Sequence, residues 1–304
     1  MIRDILRPDY RAHAVLVDPA RAKSELWRLC AGLVLAVLLL LFIAQFFVSI
    51  YIEIFFGSAQ TYLVLEEADR GTSPASVYFL LLQVALLTPV IAMVAYSLHK
   101  RRLNSLIGPT ELAMTQFVGV LVVLSVLCAV IFALPPYGYE DGEVQSNLGF
   151  GKWLVLLPLS IVVVLLQCTA EEIVFRGYIQ QQLAARFQNS AVWLIIPSAL
   201  FGLLHYDPEA GSNAVAIAVW AAIFGLFMAD ITARAGTLGP AIAIHLVNNF
   251  IALLLLAPAD EMNGLALYTM PFGLDDEDAV RTWLMIDLFY MCVSWLAARL
   301  VLQR

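Results

Sequence analysis

Charge is what this sequence has least of. Asp, Glu, Lys and Arg make up 13% of its 304 residues, against roughly a quarter in soluble proteins, and that scarcity excludes an ordinary soluble domain. Cysteine is also scarce, with four copies. Cys30, Cys128, Cys168 and Cys292 all lie in or at the ends of apolar runs, where a free thiol packs as a small hydrophobe. They form neither a disulfide framework nor a Cys-x-x-Cys metal motif, and Cys168, one turn before Glu171, reads as packing. Missing too are Gly-x-Ser-x-Gly, His-Glu-x-x-His, the phosphate-binding glycine loop and Gly-x-Gly-x-x-Gly, which removes the familiar soluble-enzyme chemistries. No internal repeat is visible.

In place of charge there is hydrophobicity, 62% of residues, with a mean hydropathy of +0.85. The expected fold is all-α, a polytopic membrane protein with about eight transmembrane helices. Apolar spans fall at 29–56, 76–98, 112–134, 152–170, 191–205, 214–233, 237–257 and 282–302, the fifth being unusually short. Residues 1–28 are polar and carry both charge signs, which reads as a cytoplasmic arm, partly helical on the membrane surface, and not as a signal peptide. Four sections follow: the arm at 1–28, scaffold helices at 29–150, a core at 151–257 and an outer loop with the last helix at 258–304.

Basic residues orient the chain, since short loops rich in Lys and Arg stay in the cytoplasm. With the N-terminus inside and eight spans, the cytoplasmic segments hold Arg3, Arg7, Arg11, Arg21, Lys23, Arg28, Lys100, Arg101, Arg102, Arg176, Arg186, Arg234, Arg299 and Arg304. Only Arg70, Lys152 and Arg281 fall on the other face, which collects Glu66, Glu67, Asp69, Glu140, Asp141, Glu143, Asp207, Glu209, Asp260, Glu261 and the run from Asp275 to Asp278. Both termini are therefore expected in the cytoplasm. The Ala/Leu/Val-rich composition and the Arg-dominated basic set point to a bacterial inner membrane. The net charge of −7 sits mainly on the outer loops and gives no support to nucleic-acid binding.

From residue 152 onward polar residues stand in apolar surroundings, where ionisable groups are expensive and mark function. In Glu171-Glu172-Ile-Val-Phe-Arg176, a helix at about 100° per residue sets Arg176 about 40° from Glu172 but about 140° from Glu171. Glu172 and Arg176 can neutralise one another, leaving Glu171 as a candidate base. Asp230 and Arg234, also i, i+4, read as a structural pair. His205 closes Phe201-Gly-Leu-Leu-His205, and His245 shares a helix face with Asn249, with Asn248 beside it. A buried His and Asn supply the donors that an oxyanion hole requires. Counting the rise of about 1.5 Å per residue from the nearest cytoplasmic turn puts Glu171 and His205 at about 22 Å, Asn249 at about 20 Å and His245 at about 14 Å.

The order Glu171-Glu172-x-x-x-Arg176, Phe201-x-x-x-His205, His245-x-x-x-Asn249 on successive helices resembles the CAAX-protease and bacteriocin-processing (CPBP) family of intramembrane endopeptidases, which includes the type II CAAX prenyl endopeptidases. The resemblance covers about residues 150–257. It implies an eight-helix protease acting on a peptide or membrane-protein substrate in or beside the bilayer. Carried over, Glu171 and His205 would activate water, His245 and Asn249 would stabilise the oxyanion, and Glu172 with Arg176 would fix the helix geometry. No cofactor is expected; the rival is a zinc protease with Glu171, His205 and His245 as ligands. Two non-enzymatic alternatives remain: a scaffold or immunity-type protein that keeps the motif, and a transporter, against which the lack of an inverted repeat argues.

Overall fold

The computed structural model describes residues 9–55, 70–134 and 143–303. Arg3, Arg7, Glu66, Glu67, Asp69, Glu140, Asp141 and Arg304, counted above for orientation, lie outside the described residues. In a bilayer each backbone N–H and C=O must find its partner within the protein, and a helix does this within a single segment. The apolar runs accordingly fold as helices. Numbered along the chain, these are α1 (Ala14–Arg21), α2 (Leu26–Phe55), α3 (Pro74–Ala85), α4 (Leu87–His99), α5 (Leu103–Ile107), α6 (Thr110–Ala133), α7 (Phe150–Glu172), α8 (Gln180–Arg186), α9 (Ser190–Leu204), α10 (Ala214–Ala235), α11 (Gly239–Phe250) and α12 (Glu277–Leu302).

The protein is thus an all-α polytopic membrane protein. Among the described residues six helical stretches are long and apolar enough to cross a membrane, and two apolar helices, Ser190–Leu204 and Gly239–Leu255, are shorter. The expected second span is two helices meeting at Leu86, while the fourth runs unbroken from Phe150 to Arg186. Large apolar side chains such as Val155, Leu204 and Phe289 point outward, as a surface in contact with lipid tails requires.

Helix ends follow local chemistry. Ser73 and Ser76 form a reciprocal capping box ahead of α3, with Pro74 in its first turn. Asn189 and Asp276 accept backbone N–H groups at the starts of α9 and α12. At the other end of α10, Gly236 takes the left-handed φ of 73° that a side chain resists.

Helix association in lipid relies on close backbone approach at small residues. A Cβ added at Gly202 of α9 would lie 2.4 Å from the Ala218 carbonyl oxygen and 2.7 Å from the Ala222 Cβ of α10. This contact holds the C-terminal end of α9, with Phe201 and His205, against the bundle. At the α7 start and α11 end, strands β1 (Gln145–Ser146), β2 (Leu256–Ala257) and β3 (Tyr268–Thr269) form a small sheet in the order β1-β3-β2, antiparallel then parallel.

The N-terminal arm is partly helical, as expected, and its apolar face packs against the end of the bundle away from the small sheet. Leu16, Val17 and Ala20 are buried, and His13 packs against Trp193 with ring centroids 4.8 Å apart and the planes tilted at 47°. Tyr10 donates to Asp230 Oδ1 at 2.8 Å, while Asp230 Oδ2 takes Arg234 Nε at 2.8 Å and Trp295 Nε1 at 3.0 Å. The i, i+4 pair read from sequence is therefore also the anchor of the arm. Burial pushes the His13 imidazole down to about 4 and the Arg101 guanidinium, which reaches the Leu16 carbonyl and Gln181, down to about 10.

Candidate active site

Polar residues of α7 and α11 meet inside the bundle, and His205 stands exposed at the end of α9. Glu172 is fully buried at the end of α7, and there the chain enters a wide, π-type turn over Ile173–Ile179 before resuming as α8. A second such turn, Ile251–Leu255, follows Asn249 and Phe250 on α11. Wide turns inside helices are frequent at functional sites because they re-aim side chains without breaking the rod. Nothing in the apolar residues of either turn announces the change of period.

Glu172 Oε1 takes Arg176 Nη1 at 3.1 Å and also His245 Nδ1 at 2.9 Å. Arg176, 1% exposed, spends its other nitrogen on the Gly225 carbonyl at 3.1 Å and lies 4.8 Å over the Phe201 ring. Although counted with the cytoplasmic cations above, it is a buried structural group. Because a carboxylate only accepts, the Nδ1 of His245 carries the hydrogen and its Nε2 is turned the other way. There it stands 3.5 Å from Glu171 Oε2, an atom buried without a hydrogen bond. Two acceptors facing each other would repel, so this contact is favourable with one proton on either atom.

Asn249, one turn beyond His245, donates to Gln167 Oε1 at 2.9 Å. Gln167 lies one turn before Glu171, so α7 and α11 run antiparallel with Glu171 level with His245 and Gln167 level with Asn249. Counting depths from the turns had put Glu171 level with Asn249. The offset is about one helical turn, because rise counted from loops ignores where each helix begins relative to its neighbour.

His205 caps the end of α9 with φ −99° and ψ 6°, in the sparsely populated bridge region where active-site residues recur. Its Nδ1 donates to the Phe201 carbonyl at 2.8 Å, which leaves Nε2 as the free acceptor of the neutral ring. Among the described residues no hydrogen bond or ion pair joins it to Glu171. The Phe201 ring stands between the two histidines, its centroid 4.4 Å from that of His205 and 6.2 Å from that of His245. Phe224, stacked on Phe201 at 6.0 Å, packs against the same side of His245 at 5.0 Å.

The chemical capability of this arrangement is plain. A carboxylate, an imidazole and a carboxamide from α7 and α11 lie together where electrostatic effects are strong, and the second imidazole, His205, stands exposed at the end of α9 beside Phe201. The alternative zinc set is not assembled: among the described residues no group of three His, Cys, Asp or Glu side chains is disposed to hold a metal ion, and Phe201 separates His205 from His245.

Residues 152–251 match the family model "Type II CAAX prenyl endopeptidase Rce1-like". The resemblance read from the three motifs therefore holds over the segment that contains all of them. The uncharacterized protein YyaK of Bacillus subtilis is 24% identical over 149 residues, spanning 49% of this chain and 48% of that protein. The chain thus covers about half the length of this curated relative. No solved structure matches.

Sequence reading missed Gln167. It is 5% exposed and bonded within the site, and its signal was available: it stands four residues before Glu171, on the same helix face, at the end of an apolar run.

Proposed function

We propose that the chain is an intramembrane endopeptidase that hydrolyses a peptide bond of a membrane-associated or peptide substrate without a metal. The observation that carries this reading is the His245 ring held between Glu171 and Glu172 inside the bundle, within the segment matched to the endopeptidase family. Glu171 is the base. In this reading a water between Glu171 and the free Nε2 of His205 attacks the scissile carbonyl and passes its proton to Glu171.

The tetrahedral oxyanion then takes hydrogen bonds from the second N–H of Asn249 and from Nε2–H of His245, whose ring is the imidazolium in this step because its Nδ1–H is given to Glu172. Removal of one such donor typically costs about 100- to 1,000-fold in rate. Glu172 and Arg176 act one layer behind, fixing the ring of His245 and the turn that carries Glu171. The proton held by Glu171 returns to the leaving amine, which closes the cycle.

The test is turnover in proteoliposomes, with two internally quenched peptides as probes: a farnesylated peptide ending in a CAAX sequence and an unmodified hydrophobic peptide. The wild type is expected to cleave at least one. Glu171→Gln should lose more than about 100-fold while remaining folded. Full cleavage by Glu171→Gln would overturn the mechanism, and a folded wild type inert towards both peptides would favour the non-catalytic scaffold. Stoichiometric zinc whose removal abolishes cleavage would refute the metal-free assignment.

A further inference from the structure

We propose that Gln167 is a positioning residue that fixes which end of the Asn249 carboxamide faces the site; the inference rests on the oxyanion role given to Asn249. A primary amide is nearly symmetric in shape, so its orientation is chosen by its neighbours' hydrogen bonds. An oxyanion needs the amide nitrogen. With the group reversed, the oxygen would face the developing negative charge and repel it.

Two contacts break the symmetry of Asn249. Its Nδ2 donates to Gln167 Oε1 at 2.9 Å, and its Oδ1 accepts from Asn248 Nδ2 at 3.4 Å. The first is the shorter and comes from a buried residue on another helix, so it sets both the rotamer and the end-for-end orientation. Gln167 Oε1 is itself committed as an acceptor, because it also takes the Cys168 thiol at 3.3 Å. The thiol, which also lies against His245, is a weak donor that favours the Gln167 oxygen, not its amide nitrogen, on this side. The chain Cys168 to Gln167 to Asn249 thus runs in one hydrogen-bond direction and delivers one N–H of Asn249 to Gln167 and the other to the site.

The helix register supports this role. Glu172 bonds His245 and Gln167 bonds Asn249, so the two proposed oxyanion donors are each oriented by an α7 side chain. His245 is held by carboxylates, whereas Asn249 is held by a neutral acceptor.

The experiment compares wild type, Gln167→Met, Gln167→Glu, Asn249→Ala and the double variant Gln167→Met/Asn249→Ala in proteoliposomes with the same quenched peptides. Methionine keeps the volume and removes the acceptor; glutamate restores an acceptor oxygen. Gln167→Met is expected to lower kcat about 10- to 100-fold, part of the loss that a missing donor causes, with KM within twofold. Gln167→Glu should recover most of that rate, and the double variant should be no slower than Asn249→Ala alone. Independent losses that multiply in the double variant, or a Gln167→Met enzyme at wild-type rate beside a crippled Asn249→Ala, would overturn the positioning role while sparing the functional reading. If Asn249→Ala itself keeps full rate, the oxyanion assignment fails instead. Solid-state NMR of asparagine-labelled protein in bilayers then decides the positioning: the Asn249 side-chain resonance, identified by its loss in Asn249→Ala, should shift in Gln167→Met and return in Gln167→Glu. An unmoved resonance in Gln167→Met refutes the inference.

Discussion

Replacing Arg176 by methionine removes the cation from a carboxylate that has no solvent to turn to. Glu172 is fully buried and Arg176 1% exposed, and the guanidinium also satisfies the Gly225 carbonyl and covers the Phe201 ring. After the substitution Glu172 keeps only His245 as a donor, and its Oε2 is already without a hydrogen bond. Breaking a buried pair by removing one partner costs about 3–5 kcal/mol, most of it the penalty of the stranded charge. The carbonyl left unpaired at Gly225 adds to the penalty, although the two costs overlap and are not summed. By contrast, Glu171→Gln preserves shape at a side chain whose 3.5 Å contact with His245 Nε2 is not a hydrogen bond, so it should cost less than about 1 kcal/mol. Equilibrium unfolding in mixed micelles measures both. The reasoning would be refuted if Arg176→Met unfolded within about 1 kcal/mol of wild type, or if Glu171→Gln were the more damaging change. A cycle completed with Glu172→Gln should show a coupling in the range of about 0.5–3 kcal/mol.

Three further perturbations have defined outcomes. Gly202→Ala drives a methyl group into the Ala218 carbonyl; it should destabilise by about 1–3 kcal/mol, and by moving Phe201 and His205 should lower turnover more than its stability loss explains, as unfolding and peptide cleavage would reveal. Tyr10→Phe removes the hydrogen bond to Asp230 and should cost about 1.5–3 kcal/mol, read as faster proteolysis of the arm. His13, pushed down to about 4 by burial, is protonated more readily when the arm is released. Arm stability should therefore be complete above about pH 6.5 and fall as pH drops towards 4, by up to about 1.4 kcal/mol per unit. Hydrogen exchange of residues 9–21 against pH checks this, and His13→Phe should flatten the dependence.

The spans were legible because lipid imposes a strict condition on every segment: about twenty apolar residues or a buried position, and no exposed backbone. The i, i+4 pairs Glu172 with Arg176 and Asp230 with Arg234 were legible for the same local reason, since helix spacing alone brings them together. Loops posed a harder problem. The short strands around Gln145 and Tyr268 pair residues more than a hundred positions apart, and no local pattern announces such a partner. The helix of the arm was legible, but its docking on the bundle was not, because the buried face, Leu16, Val17 and Ala20, is too small to announce a partner.

Within the site, the identity of the polar residues belonged to the sequence, and their partnerships to the fold. Composition and spacing determined that Glu171, His205, His245 and Asn249 are ionisable or polar groups in an apolar setting, because each is costly there whatever its neighbours. Only the tertiary structure decided that His245 stands between the two glutamates, that Asn249 meets Gln167 and that Phe201 separates the histidines. Those contacts depend on the relative height of antiparallel helices and on the wide turns after Glu172 and Phe250. Both arise from packing between segments distant in the chain, which no periodicity within one segment encodes.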